Sequence, residues 1–138
     1  MSSTAQKVVD KMMHNDWYSQ WLGIEVLETG EGISKLRMIV RKEMLNGFGI
    51  ANGGITYSLA DSALAFSSNG HGIQSVSIET SISHTKPVKE GDILIAVSKE
   101  LSLSNKIGIY QIDVTNQEGK TVALFKGTVF RTGKEWEV

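Results

Sequence analysis

Between Glu43 and His71 the chain carries a single charged residue, Asp61. This stretch reads as one long helix, from Gly53 or Gly54 to Ser68, and it constrains the fold more than any other segment. Ile55, Leu59, Ala63 and Phe66 recur at helical spacing, with Ala60 and Leu64 beside them, so a broad apolar stripe must be covered. Asn69-Gly70 and Gly72 supply the stop signal. The segments around it read as strands. Residues 23–27 and 33–40 precede it, joined through the turn residues Glu28 to Gly32. Residues 75–85 alternate after it, with Val76, Ile78 and Ile82 assigned to one face. Residues 93–103, 107–115 and 121–131 follow, the last two parted by the turn Asn116-Gln117-Glu118-Gly119. Two strands, one long helix and a run of strands fit an α+β fold in which one antiparallel sheet curls around the helix.

Residues 1–22 are expected to be helical. Ser2-Ser3-Thr4 is a cap signal ahead of Val8, Val9, Met12 and Met13, and Asp16 opens a second short helix carrying Trp17, Tyr18 and Trp21. Those aromatics are expected to pack onto the sheet; lining a ligand entrance is the other reading. At 138 residues, 41% apolar and 21% charged, the chain is expected to be one globular domain with an adequate core. Its 14 basic and 15 acidic side chains are dispersed, so no stripe exists to follow a phosphate backbone, and nucleic acid is not an expected partner. The absence of cysteine excludes disulfides, thiolate catalysis and thiolate metal sites. No signal-peptide stretch or run of ~20 apolar residues occurs, so a cytoplasmic protein away from membranes is expected. His14, His71 and His84 lack metal-ligand spacing, and neither metal nor cofactor is expected.

Two features carry chemistry. Asp61 sits mid-helix among Leu59, Ala60, Ala63 and Leu64. An unpaired carboxylate in such company is costly unless it has partners or a task; Tyr57, Ser58 and Ser62 leave open a plain solvated face. Asn52-Gly53-Gly54 opens the same helix. A helix start offers unpaired N–H groups and a positive dipole end, and glycine lets a ligand approach the backbone. The segment is either an oxyanion site or an ordinary glycine-rich turn.

The run from Asn46 through Asn52-Gly53-Gly54 to Asp61 resembles the signature of hotdog-fold acyl-CoA thioesterases of the PaaI type, N-G-x-x-x-x-H-G-G-x-x-x-x-L-x-D. The stretch Val76 to Pro87, with Gly91-Asp92, is also similar, and the likeness spans about residues 20–132. The resemblance implies hydrolysis of acyl- or aryl-CoA to free acid and CoA. It casts Asp61 as general base or nucleophile, the Gly53 N–H as donor to the thioester carbonyl, and Asn46 and Ser77 as supports for water or substrate. It places His84 at a ligand contact and a CoA-binding loop at Asn105-Lys106-Ile107-Gly108; Lys106 is a candidate for one phosphate and Arg131 for another, each charge also reading as a plain solvated side chain. It also implies a homodimer, and dimers paired into tetramers. One departure stands out: the histidine of the signature is Asn52, which hydrogen-bonds but does not titrate.

Spacing bears on the site independently. Gly53 and Asp61 are eight residues apart, ~12 Å along a helix, beyond the ~3 Å reach of two groups on one thioester carbonyl. If both serve one reaction, they come from two chains with antiparallel helices. Two rival readings remain: a hotdog hydratase or dehydratase, which the missing histidine disfavours, and a non-catalytic acyl-CoA binder, which it favours. No G-x-S-x-G elbow or phosphate-binding loop occurs, and Gly47-Phe48-Gly49 lacks the third glycine of a dinucleotide fingerprint.

Overall fold

The computed structural model describes residues 2–138. Helix α1 (Thr4–Asn15) is capped by Ser3, whose side chain accepts from Gln6 N, and α2 (Trp17–Leu22) by Asp16, whose side chain accepts from Ser19 N. Strands β1 (Glu25–Gly30) and β2 (Ile33–Ile39) lead through a 3-10 turn (Lys42–Met44) to the long helix α3 (Gly53–Asn69). Four strands complete the chain: β3 (Ile73–His84), β4 (Ile93–Leu103), β5 (Ile107–Thr115) and β6 (Thr121–Glu135).

All six strands form one antiparallel sheet in the order β1-β2-β4-β5-β6-β3. α3 touches every strand. This is the hotdog arrangement: the sheet wraps the helix, as expected from the sequence. Leu59, Ala60, Ala63, Leu64 and Phe66 of α3 meet Leu36, Met38, Leu94, Ala96, Ile112, Val114, Phe125 and Val129 in one buried cluster. Enclosure also buries hydroxyls, which pair among themselves. Ser34, Ser67 and Ser98 join at 2.7 and 2.5 Å, with Ser34 and Ser67 reaching the Ala63 carbonyl. A buried hydroxyl left unpaired costs more than such a bond gains.

Four local expectations change. Val76 and Ile78 do not join Ile82 on the core face; they are 56% and 57% exposed, while Ile82 packs on the core. A register shift between Ser77 and Glu79 breaks the alternation, and β3 is an edge strand. The aromatics of α2 do not pack on the sheet: Trp17 is 72% exposed, and the helix instead buries Ser19 and Leu22. Tyr18 stacks with Trp21, and the Arg41 guanidinium lies 5.1 Å over the Trp21 ring. The β1–β2 hairpin is tighter than expected, because both strands run to a turn at Glu31-Gly32, and Gly23, left-handed, caps α2 rather than starting β1. β6 continues past Arg131 to Glu135.

The helix lies so close to the sheet that Gly127 of β6 has no room for a side chain: a Cβ there would fall 2.5 Å from Leu64 Cδ2. Gly127→Ala is therefore expected to destabilise the fold by about 1–3 kcal/mol through overpacking, read as a lower urea midpoint with an unchanged slope.

Candidate active site

The start of α3 is shaped by side-chain caps. Asn46 Oδ1 accepts from the backbone N–H groups of Phe48 (2.9 Å) and Ile50 (3.4 Å), folding the loop before the helix. Asn52 is the N-cap, its Oδ1 accepting from Gly54 N at 2.8 Å. The Gly53 N–H has no acceptor among the described residues. It stands exposed at the positive end of a 17-residue helix. His84, the last residue of β3, comes up to this point: a Cβ on Gly53 would lie 3.1 Å from His84 Nε2. Thr56 Oγ1 donates to the Gly53 carbonyl (3.1 Å) and lies 3.2 Å from His84 Nδ1. With its one hydrogen so used, the hydroxyl accepts from Nδ1–H, leaving Nε2 facing the glycine. Asn46, Gly53, Thr56 and His84 line a cavity of about 330 Å³ that also includes Ile50, Lys86 and Pro87.

Asp61 lies in a different cavity, of about 420 Å³, with Met12, Leu64, Val76, Ser77, Val129 and Trp136 among its walls. The two cavities share no residue. The Asp61 carboxylate is half-buried and accepts no hydrogen bond from any described residue. It does not stand on a plain solvated face, since its neighbour Ser62 is covered by α2 and bonded to Ser19 Oγ at 2.8 Å. Burial pushes its pKa above the ordinary carboxylate range, and the nearby Asp16 carboxylate pushes it further. Asp16 is itself held by the N–H and hydroxyl of Ser19.

Strand register places the remaining candidates. Ser77 pairs with Val129, and Val129 with Gly108, so the β4–β5 turn sits at the Asp61 end of the sheet. His84 pairs with Ala123, and Ala123 with Val114, at the opposite end. Asn105 and Lys106 are exposed in the turn, and Ile107 is half-buried. Gly108 faces inward, where a Cβ would meet the Tyr110 ring at 2.9 Å. Arg131 pins the turn, its Nη1 donating to Ser104 O (2.9 Å) and its backbone N–H to Lys106 O (2.7 Å). Behind it, Glu100 pairs with His71 Nε2 (2.6 Å) and accepts from Tyr110 OH (2.7 Å). Burial raises the Glu100 pKa, but these hydrogen bonds and the His71 and Arg131 charges outweigh it, so the carboxyl ends below its usual range. Burial and the same contact push the Tyr110 phenol up.

The structure thus gathers Asn46, Gly53 and His84 at one end of α3 and Asp61 with Ser77 further along it, the latter near the Asn105–Lys106 turn and Arg131. It makes Asn52 a cap. Sequence reasoning missed Thr56, Asp16, Met12 and Trp136; Asp16 read as a helix-opening residue, which it is, and only packing shows the carboxylate it faces. No group of three or more His, Asp or Glu side chains among the described residues is arranged to hold a metal ion. No helix among them is long and apolar enough to cross a membrane.

Acyl transfer calls on a base and an oxyanion donor; this chain holds a carboxylate of raised basicity and a free helix-start N–H, in separate cavities. Residues 48–123, from the Gly53 loop into β6, match the family model described as thioesterase superfamily. The chain belongs to that superfamily. It is 36% identical over 133 residues to the acyl-coenzyme A thioesterase PaaI of Escherichia coli, covering 96% of this chain and 95% of that protein. The structure of the E. coli PaaI protein from the phenylacetic acid degradation operon superposes with a TM-score of 0.93, at 35% identity over 96% of each chain. The phenylacetic acid degradation protein PaaI of Thermus thermophilus, in a mutant form, gives 0.81, at 37% identity over 84% of this chain and 99% of that one. A Streptococcus mutans protein bound to acetyl CoA gives 0.79, at 27% identity over 82% and 91%.

The electrostatics of Asp61 can be tested without any substrate. Asp16→Asn keeps an N-cap of similar quality and removes one of the two causes raising the Asp61 pKa, so the Asp61 midpoint followed by carboxyl-carbon NMR is expected to move down. A folded-state pKa above the unfolded one means that the protonated acid favours folding, and this is lost as pH rises through the folded value. Asp61→Asn is therefore expected to melt higher than the parent above that pH and to match it below the unfolded value. A lower melting temperature at neutral pH would contradict the assigned shift.

Proposed function

We propose that this protein is an acyl-CoA thioesterase whose two sites are each completed by two chains. One observation carries the reading: the free Gly53 N–H and the Asp61 carboxylate, ~12 Å apart on one helix, line two cavities with no residue in common. One carbonyl cannot use both from a single chain. A second chain with its helix reversed would bring Gly53 of the partner subunit to Asp61. The free edge of β3 and its exposed Val76 and Ile78 support a pair, since a long apolar edge strand invites pairing. The substrate class is supported by the name of the E. coli relative and by the acetyl CoA in the S. mutans neighbour.

In this mechanism Asp61 takes a proton from water as the oxygen attacks the thioester carbonyl carbon. The N–H of the partner subunit's Gly53 donates to the oxyanion, where the helix dipole favours negative charge. Collapse breaks the C–S bond, the acid leaves, and the thiolate of CoA recovers the proton from Asp61. The alternative is attack by Asp61 itself, expelling the CoA thiolate and giving an anhydride that water opens at the Asp61 carboxyl carbon; single turnover in labelled water then leaves label in the enzyme, which direct attack of water on the thioester never does. Ser77 shares the Asp61 cavity and supports the water. Asn46 spends its oxygen on the loop and keeps its amide hydrogens for substrate. His84 provides, beside Gly53, the ring that Asn52 does not. Asn105 and Lys106 hold the nucleotide end of CoA, with Arg131 bracing their turn.

Asp61→Asn is expected to lower kcat by ~10²–10⁴ with the fold retained, the usual worth of a positioned base. A tenfold or smaller loss would remove Asp61 from the chemistry. Gly53→Pro deletes the donor at a position that suits proline, provided His84 yields slightly. Refolding Gly53→Pro together with Asp61→Ala makes about half the dimers mixed, each with one intact site. Activity is expected to return to roughly one quarter of the parent. No recovery, with mixed dimers seen by mass spectrometry and Gly53→Pro shown to be native in structure, would defeat the two-chain site. Lys106→Ala is expected to raise KM more than it lowers kcat, less so at high salt; an unchanged KM at low salt would displace CoA from this turn.

A further inference from the structure

We propose that Trp136 closes the far end of the acyl-binding cavity and sets the longest acyl group the enzyme accepts. The inference rests on the thioesterase reading above. The Asp61 cavity runs along α3, past Leu64, Ala65 and Ser68, to Asn69. Asn69 is eight residues beyond Asp61, ~12 Å along the axis, and is 2% exposed. At that far end stands the Trp136 indole.

The ring is held in place. Trp136 Nε1 donates to Asn69 Oδ1 at 2.8 Å, and its backbone N–H donates to Gly72 O at 2.9 Å. Asn69 is itself fixed: Oδ1 also accepts from Ser75 N, while Nδ2 donates to the carbonyls of Ala65 (2.8 Å) and Ser75 (3.1 Å). Every hydrogen-bonding group of that amide facing the ring is occupied, so the indole has one well-defined seat. Trp136 follows the last residue of β6, where the backbone bond to Gly72 needs no indole.

The walls indicate what the cavity takes. Met12, Leu64, Val76 and Val129 are apolar. Ser68 and Ser75 spend their hydroxyl hydrogens on the carbonyls of Leu64, Ala65 and Ile73. With Asn69 also saturated, only the Gln74 amide at this end lacks a side-chain hydrogen bond among the described residues, and the other walls offer a polar tail little in place of its lost hydration. A cavity of ~150 Å³ already holds benzene, so about 420 Å³ suits an unsubstituted hydrocarbon acyl group with its carbonyl at Asp61 and its tail stopped by Trp136.

The test compares the parent, Trp136→Ala and Trp136→Phe on straight-chain saturated acyl-CoAs from acetyl to palmitoyl, with folding checked by circular dichroism and melting. One added methylene in an apolar pocket is worth about tenfold or more. Trp136→Ala is therefore expected to raise the kcat/KM ratio of long to short chains at least ~10-fold, and Trp136→Phe to leave the preferred length nearly unchanged. If Trp136→Ala does not fold, Trp136→Leu gives the same readout. A ratio unchanged in folded Trp136→Ala or Trp136→Leu, or equal loss on every chain length, would overturn the proposal while leaving the thioesterase reading intact. A parent inactive on these chains but active on an aryl-CoA such as phenylacetyl-CoA would overturn the proposal alone, and a parent inactive on all of them would overturn both.

Discussion

Because one sheet curls around α3, almost no face of that helix is left to solvent. Core leucines, alanines and Phe66 fill the concave side, while α1 and α2 cover part of the other. Tyr57, Ser58, Asp61 and Ala65 remain as a half-open stripe at helical spacing. Under that constraint a polar group on α3 is either satisfied within the fold or left facing a cavity. Ser67 and Asn69 are satisfied, through Ser98 and through Ser75 and Trp136. Asp61 has no such partner, and its burial is what raises its basicity.

The same helix orients the chemistry. Its N-terminus concentrates partial positive charge at Gly53, where the Asn52 cap satisfies the Gly54 N–H and leaves that of Gly53 free. Two turns on, the dipole end is too far to stabilise the Asp61 carboxylate. Asp16 adds a second negative charge there. The start and the middle of one helix thus carry electrostatically opposite groups, a free N–H donor at Gly53 and a carboxylate of raised basicity at Asp61.

Much of this was legible in the residues. The long helix, its stripe and its ends came from spacing and glycine signals, and the bounds of β4 and β5 agree with the alternation that marks them. Periodicity misled in β3 because a bulge at Ile78 inverts the faces. It misled in α2 because Leu22 and Ser19, rather than the larger aromatics, meet the core.

From local pattern and helical rise the sequence alone determined a run of strands around one long helix, the carboxylate in that apolar helix and the ~12 Å separation along it; the hotdog class came from the likeness of its Asn46–Asp61 run to a known signature. Tertiary structure decided what surrounds those groups. Asp16 lies far from Asp61 in sequence, His84 reaches Gly53 from the end of β3, and Trp136 reaches Asn69 across most of the chain. Such contacts are fixed by strand register and by how closely α3 seats in the sheet. Both are properties of packing, which no local pattern encodes.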